Sequence, residues 1–345
     1  MNTPPRLRVL GTRLVHVLTP VAPARQSALL RVGTGAYTLW YLGRRVRLLR
    51  GVHRTDPALF APVGTVRVLR RPVPPLVADG LTAATLTTTV LFTAGVAHRV
   101  VGPLHSGLLL WTLAYRNSWS MVFHNDNTLV LHTIALGLSP SAEAVSVESL
   151  LRGDDRGRTG RAEADADAGD WRYGTAGTAM NLGTAAVYLL SGVAKVAGPL
   201  GWRWADGASL RSQVEADALR KGVLQAGGDS PAARLRHHRL LFTALAAGSL
   251  ALELLAPLAL LDRRLGRAWS AAAFGMHWGI KAVMGITFRH QMSGVMYLPH
   301  ILHGPARNQH VRVSAGGAAL ARSRGTQPRG VMTRPPGSST GVPPR

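Results

Sequence analysis

The sequence predicts an all-α fold, a polytopic integral membrane bundle of about five to seven spans with a disordered basic C-terminal tail. Two observations carry this expectation. Hydrophobic residues make up 46% of the 345 positions and are gathered in long blocks rather than spread as amphipathic stripes, which is the pattern of helices that face lipid. The formal net charge of +23 comes from arginines that sit mostly between and beyond those blocks, as in proteins whose charged loops flank a bilayer. A basic chain also suggests nucleic acid, but zinc-finger spacing and a separate basic domain are both missing, so no nucleic-acid partner is expected. The chain has no cysteine, which excludes disulfides, thiolate metal sites and a cysteine nucleophile.

Residues 1–26 read as a basic amphipathic segment. Leu7, Leu10, Leu14 and Leu18 recur at helical spacing among Arg6, Arg8, Arg13 and Arg25, the pattern of a helix lying on an anionic leaflet or of a partly ordered tail. Ala-Pro-Ala at 22–24 resembles a signal-peptidase site, yet Arg13, His16 and two prolines spoil the apolar region before it, so no cleavage is expected.

The transmembrane domain is expected over 27–303, where a crossing needs roughly 20 mostly apolar residues. Ser27 to Gly43 is a marginal span whose Arg31 would snorkel to the interface, and Leu76 to Val101 is a better one. Leu104 to Ser139 is broken by Arg116-Asn117-Ser118 and by His124-Asn125-Asp126-Asn127; such residues must face a cavity or mark a turn between two helices. Residues 140–170 form an acidic loop, with Glu143, Glu148, Asp154, Asp155, Glu163, Asp165, Asp167 and Asp170, read as solvated linker. Tyr173 to Val196 is a clear span rich in Gly and Ala. The polar segment 197–238 follows, with Trp202 and Trp204 placed as an interfacial aromatic belt and a short helix expected from Ser209 to Gln225. Leu240 to Leu261 and Trp269 to Phe288 are the last strong spans, joined at Asp262-Arg263-Arg264, and Met292 to Leu302 is too short to cross alone. Residues 304–345 hold seven arginines and no acid, the composition of a disordered Arg/Pro/Gly tail. The expected location is therefore the cell membrane, multi-pass, with the lipid bilayer as first partner. No internal repeat supports a transporter.

Chemistry concentrates at a few ionisable residues inside apolar runs. Of 40 basic residues only Lys195, Lys221 and Lys281 are lysine, and an amine, unlike a guanidinium, can lose its proton inside a protein. Lys195 ends the run Tyr188-Leu-Leu-Ser-Gly-Val-Ala-Lys195; desolvation would make it a general base, while a snorkelling lysine at a helix end is the plain alternative. His277 and Lys281 lie four residues apart on one helix face, placed either to relay a proton and bind a polar head group or to satisfy a buried carbonyl. His124, Asp126 and Asn127 supply donors, acceptors and one carboxylate. The set His124, Asp126, His132 and His277 matches no strong metal spacing, so no metal is expected. Glu253 is a further intramembrane charge that could pair with Lys281 or Lys195.

Taken in order, these stretches resemble the HTTM (horizontally transferred transmembrane) domain family, relatives of the vitamin K-dependent gamma-carboxylases. The carrying residues are Arg116-Asn117 with His124-Asn125-Asp126-Asn127, Tyr188 to Lys195 followed by Trp202 and Asp206-Gly207, Leu252-Glu253-Leu-Leu-Ala-Pro257, and His277 with Met284-Gly285-Ile286. The resemblance covers roughly residues 25 to 300. It implies a membrane enzyme using reduced vitamin K or menaquinol, with oxygen and carbon dioxide as co-substrates and a small peptide or small molecule as acceptor. Lys195 falls on the carboxylases' base; with His277 and Asp126 it forms the implied catalytic set, and Lys281, Asn127 and His124 would bind the cofactor. Two departures stand out. A carboxylase histidine falls near Asp126 here, and a short basic tail stands in place of the long lumenal region that grips the substrate's propeptide. The alternative is a non-catalytic membrane factor for maturation of a secreted peptide or biosynthetic product.

Overall fold

The computed structural model describes residues 18–119, 124–156, 169–223 and 237–302, and these are overwhelmingly helical. The first half contains α1 (Ala24–Gly43), the short α2 (Val46–Val52), α3 (Pro75–Ala94), α4 (His98–Asn117), α5 (His124–Gly137) and α6 (Val147–Arg156). The second half contains α7 (Trp171–Ala197), α8 (Ala208–Val223), α9 (Arg239–Leu254), α10 (Arg263–Met284), α11 (Arg289–Met292) and α12 (Leu298–Leu302). The only strands among the described residues are the two-residue β1 (Ala22–Pro23) and β2 (Gly169–Asp170), which pair antiparallel. The expected basic tail and most of the N-terminal amphipathic segment lie outside the described residues.

Local sequence explains where the helices start and stop. Pro75 opens α3 at a position where its missing N–H is no loss. At its other end Gly95 adopts φ 68°, with Gly95 N–H donating to Phe92 O and Val96 N–H to Leu91 O, the paired reverse bonds of a Schellman stop. The expected span Leu76 to Val101 therefore ends early, and its last residues begin α4. Asp170 and Asp262 accept the N–H groups of Arg172 and Arg264 and so cap α7 and α10. The polar interruption after Leu104 separates two helices: α4 closes at Asn117 and α5 opens at His124.

Tyr37, Tyr41, Leu42, Leu109, Leu113 and Leu129 form a core joining α1, α4 and α5. A second core joins α7, α10 and the 3-10 turns around Ala256 and Met296 through Ala185, Tyr188, Trp269, Ala273 and Tyr297. Between them Leu30, Phe92, Val101, Leu136, Ala176 and Met180 bind α7 to the first group.

Two expectations change, and a third is met in part. Arg31 does not snorkel. It is fully buried, its guanidinium donating to Phe92 O at 3.2 Å and Val145 O at 2.5 Å. The acidic loop is partly built structure rather than solvated linker: Ala142, Ala144 and Ser146 are buried, α6 is helical, and Gly169–Asp170 pairs with β1. Its acids have local duties, since Glu148 accepts from His98 N–H at the start of α4 and Glu143 accepts from the Tyr173 hydroxyl. Finally, only α3 and α7 among the described helices are long and apolar enough to cross a bilayer by themselves. The reason is physical: α5 and α9 are 14 and 16 residues long, and α10 carries Arg263, Arg264, Arg267 and Lys281.

Candidate functional site

A cavity of about 540 Å³ lies between α7, α8, α9 and α10, bordered by Tyr188 of the second core and by Leu210, Phe242, Val283 and Met284. Lys195 reaches it from the last turn of α7, where the helix dipole favours a cation. Glu253 reaches it from the last turn of α9. The two helices approach closely at Gly192, where a Cβ would stand 3.1 Å from the Glu253 Cβ and 3.0 Å from a Leu254 methyl. That approach lets the Lys195 ammonium donate to both oxygens of Glu253. The Lys195 Nζ also lies 4.7 Å from the ring centroid of Trp204, a cation–π contact that shields the charge. Trp204 belongs to the 3-10 turn Gly201–Asp206, which is tied to α9 by the Thr243 hydroxyl donating to Asp206 O at 2.7 Å.

His277 enters from α10, which is fastened to α9 by the Trp269 indole N–H donating to Leu252 O at 3.0 Å. The His277 Nδ1 lies 2.8 Å from Ala273 O, a bond that places the proton on Nδ1 and makes Nε2 the acceptor nitrogen. Tyr188 and Tyr297 share a 2.8 Å hydroxyl bond beside that ring, with the Tyr188 hydroxyl 3.4 Å from Nδ1. Gln213 and Gln291 add amides, and Phe242, Leu245, Ile280, Val283 and Met284 add apolar wall. An ion pair, an imidazole, the Tyr188 phenol and amides thus converge on one mostly apolar cavity, the general form of a small-molecule site.

The structure brings Lys195 and His277 together and separates them from the other candidates. Asp126 does not line the cavity. It is buried in the first core, ion-paired with Arg116 and accepting from the Tyr41 hydroxyl at 2.7 Å, while Arg116 also donates to Tyr41 at 3.2 Å and to Asn117 at 2.9 Å. Asn127 is exposed and absent from the cavity wall, and the side chain of His124 lies outside the described residues. Lys281 also leaves the site. Four residues rotate a helix about 40° past a full turn, so His277 is buried while Lys281 is exposed and rests over the ring of Trp278 at 5.0 Å. Glu253 pairs with Lys195, not Lys281. Tyr188 stands in the run that ends at Lys195 but was not named as a site residue, although it precedes Lys195 by seven residues, two turns along one face; Tyr297 and Gln291 carried no local signal.

Comparison of the chain with protein-family models, with curated proteins and with solved structures finds no match. The site's meaning therefore rests on its chemistry.

Proposed function

We propose that this is a multi-pass membrane protein of the HTTM type, which binds a reduced quinone of the vitamin K or menaquinol class in the cavity and acts as a carboxylase-like quinol epoxidase. Support for the membrane setting comes from an inverted distribution of side chains. Helix α3 turns Leu76, Val77 and Val90 outward and buries Thr82, Thr85, Thr88 and Thr89; α4 turns Val100 and Leu104 outward and buries His105, Ser106, Arg116 and Asn117. The threonine hydroxyls donate to carbonyls one turn back, so a polar inner face is satisfied while the outer face suits lipid.

The observation that carries the enzymatic reading is the Lys195–Glu253 pair opening on a cavity with His277. Its mixture of apolar wall, one phenol and amides fits an aromatic diol head with a hydrocarbon tail. The pair accepts a proton as a unit: Lys195 passes one proton to Glu253 and takes one from a hydroxyl of the ligand, so the pair changes from net zero to net +1. His277, oriented by its bond to Ala273 O, sets its imidazole in the cavity wall against the ligand. When bound, the reduced quinone supplies the electrons for oxygen activation, with carbon dioxide a further co-substrate where carboxylation is coupled to it. The test is to give lipid-reconstituted protein a reduced quinone and oxygen and to look for quinone epoxide by mass spectrometry. Epoxide from the wild type but not from Lys195→Ala supports the reading; none with several quinones overturns it.

One observation favours a second reading, a non-catalytic maturation or interaction factor. Glu253 engages Lys195 through both oxygens, as a purely structural pair would. In that case Lys195→Arg preserves function, and Glu253→Ala lowers the amount of protein in the membrane.

A further inference from the structure

Behind the cavity lies a second polar site. His290, on the short α11, is buried, and neither of its ring nitrogens has a hydrogen-bond partner among the described residues. Its ring stacks on Tyr37 with centroids 4.9 Å apart and meets His132 edge-on at 5.8 Å. The Tyr37 hydroxyl and His132 Nδ1 are likewise buried and without a partner among the described residues. So is Oε1 of Gln291, the next residue, which also lines the cavity.

The hydrogen-bonding character of this set is complementary. His132 Nε2 lies 3.1 Å from Met180 O and 2.8 Å from the Thr184 hydroxyl; a proton on Nε2 for the carbonyl leaves Nδ1 an acceptor. Gln291 Oε1 is an acceptor, the Tyr37 hydroxyl is a donor and acceptor, and a neutral His290 ring has one nitrogen of each kind. Tyr37 and His132 gather around His290 without bonding it, and Gln291 follows His290 on the same short helix. Buried polar atoms left unmatched in such number would consume much of a domain's stability, and several small ligands, each able to donate twice and accept twice, satisfy these five atoms.

We propose that His290, His132, Tyr37 and Gln291 hold a file of ordered water that joins the interior of the bundle to the cavity at Gln291 and carries protons between them. Its inner end is close to a further charge: Tyr37 stacks on Tyr41 at 5.7 Å, and Tyr41 donates to the Asp126 that pairs with Arg116. Chains of histidine, carboxylate and water are the usual proton paths of membrane interiors. The inference does not depend on which ligand fills the cavity.

The experiment uses full-length protein in lipid bilayers, labelled with 15N at the histidine rings, and solid-state NMR. The probe is water itself. The His290 resonances, assigned by their loss in His290→Phe, are expected to receive magnetisation from water and to exchange with deuterium within minutes. Resonances that receive nothing from water and stay protected for days show a dry site and overturn the proposal. Gln291→Leu, which closes the junction, is expected to slow exchange at His290 at least tenfold; exchange unchanged there refutes the route through the cavity. Should His290→Phe fail to accumulate, assignment through Tyr37→Phe, which keeps the ring stack, preserves the same two outcomes. Epoxide formation enters none of these measurements, so either proposal can fail alone.

Discussion

Lys195 and Glu253, 58 positions apart in sequence, meet as an ion pair across the contact between α7 and α9, and the pair forms part of the wall of the cavity that also receives His277. Removing one partner strands the other's charge in an apolar wall. Glu253→Ala is expected to destabilise the protein by about 3 kcal/mol, and Lys195→Ala by a similar amount. The double variant should lose clearly less than the sum, which a double-mutant cycle of unfolding in detergent measures. Full additivity would show that the pair contributes no coupling.

Lys195→Arg separates the two functional readings. It keeps the charge and the Glu253 contact but removes a base able to exchange its proton. Quinol epoxidation is expected to fall by at least about 100-fold, the scale of a lost acid–base group, at an unchanged protein level. Normal activity in this variant would contradict the proposed role.

The buried Asp126 is expected to matter for folding and not for ligand. Tyr41→Phe deletes the hydroxyl that bridges Asp126 and Arg116, with an expected loss of about 1–3 kcal/mol in stability. Quinone affinity should be unchanged, because neither residue lines the cavity. Titration of the variant with the quinone beside its thermal unfolding decides this.

Gly95→Ala meets two obstacles at once. The residue has φ 68°, and a Cβ there would stand 1.9 Å from the Arg31 Nη1. An expected loss of about 2 kcal/mol or more follows from left-handed strain added to displacement of a buried cation. Combining it with Arg31→Ala should restore only part of the loss, since the strain at φ 68° and the Ser146 Cβ, 2.5 Å from the added Cβ, both remain.

At the surface, the Asp170 carboxyl is held below the usual carboxylate range, first by the Arg172 backbone N–H it accepts and then by the Arg172 side chain. A depressed folded-state value means the stabilisation is present at neutral pH, above the unfolded value of about 4, and fades as pH falls through the folded value. Asp170→Asn is expected to flatten the acid limb of the stability curve below about pH 4; an identical limb would show that the cap does not contribute to it.

The absence of native cysteine allows a clean test of membrane placement. Single variants Val90→Cys and Leu190→Cys, on outward apolar faces, are expected to resist a membrane-impermeant maleimide in intact vesicles. Thr55→Cys, in the turn after α2, should be labelled from one side only. Rapid labelling of the first two would place those faces in water.

Block length made the helical layout partly legible, while the local signals that set its ends, Pro75 at a start, Gly95 at a stop and Asp170 and Asp262 as caps, were passed over by the expected span Leu76 to Val101 and the expected acidic linker. The site was legible in part. Lys195 and His277 stand out as ionisable groups in apolar runs, and Glu253 could be named as a partner without knowing whose. That Asp126 lies away from the cavity and pairs with Arg116 was not legible, because an isolated carboxylate between apolar segments looks the same whether it serves a ligand or an arginine one helix away.

What the sequence determined by itself was the class of element and the residues worth asking about, since composition and periodicity act over a few turns. What only the tertiary structure decided was which charges meet. Pairing of Glu253 with Lys195, burial of Arg31 under Phe92 and Val145, and the gathering of His290, His132 and Tyr37 all depend on helix approaches set by packing between distant segments. The burial that makes an unmatched charge costly arises only once those segments have come together.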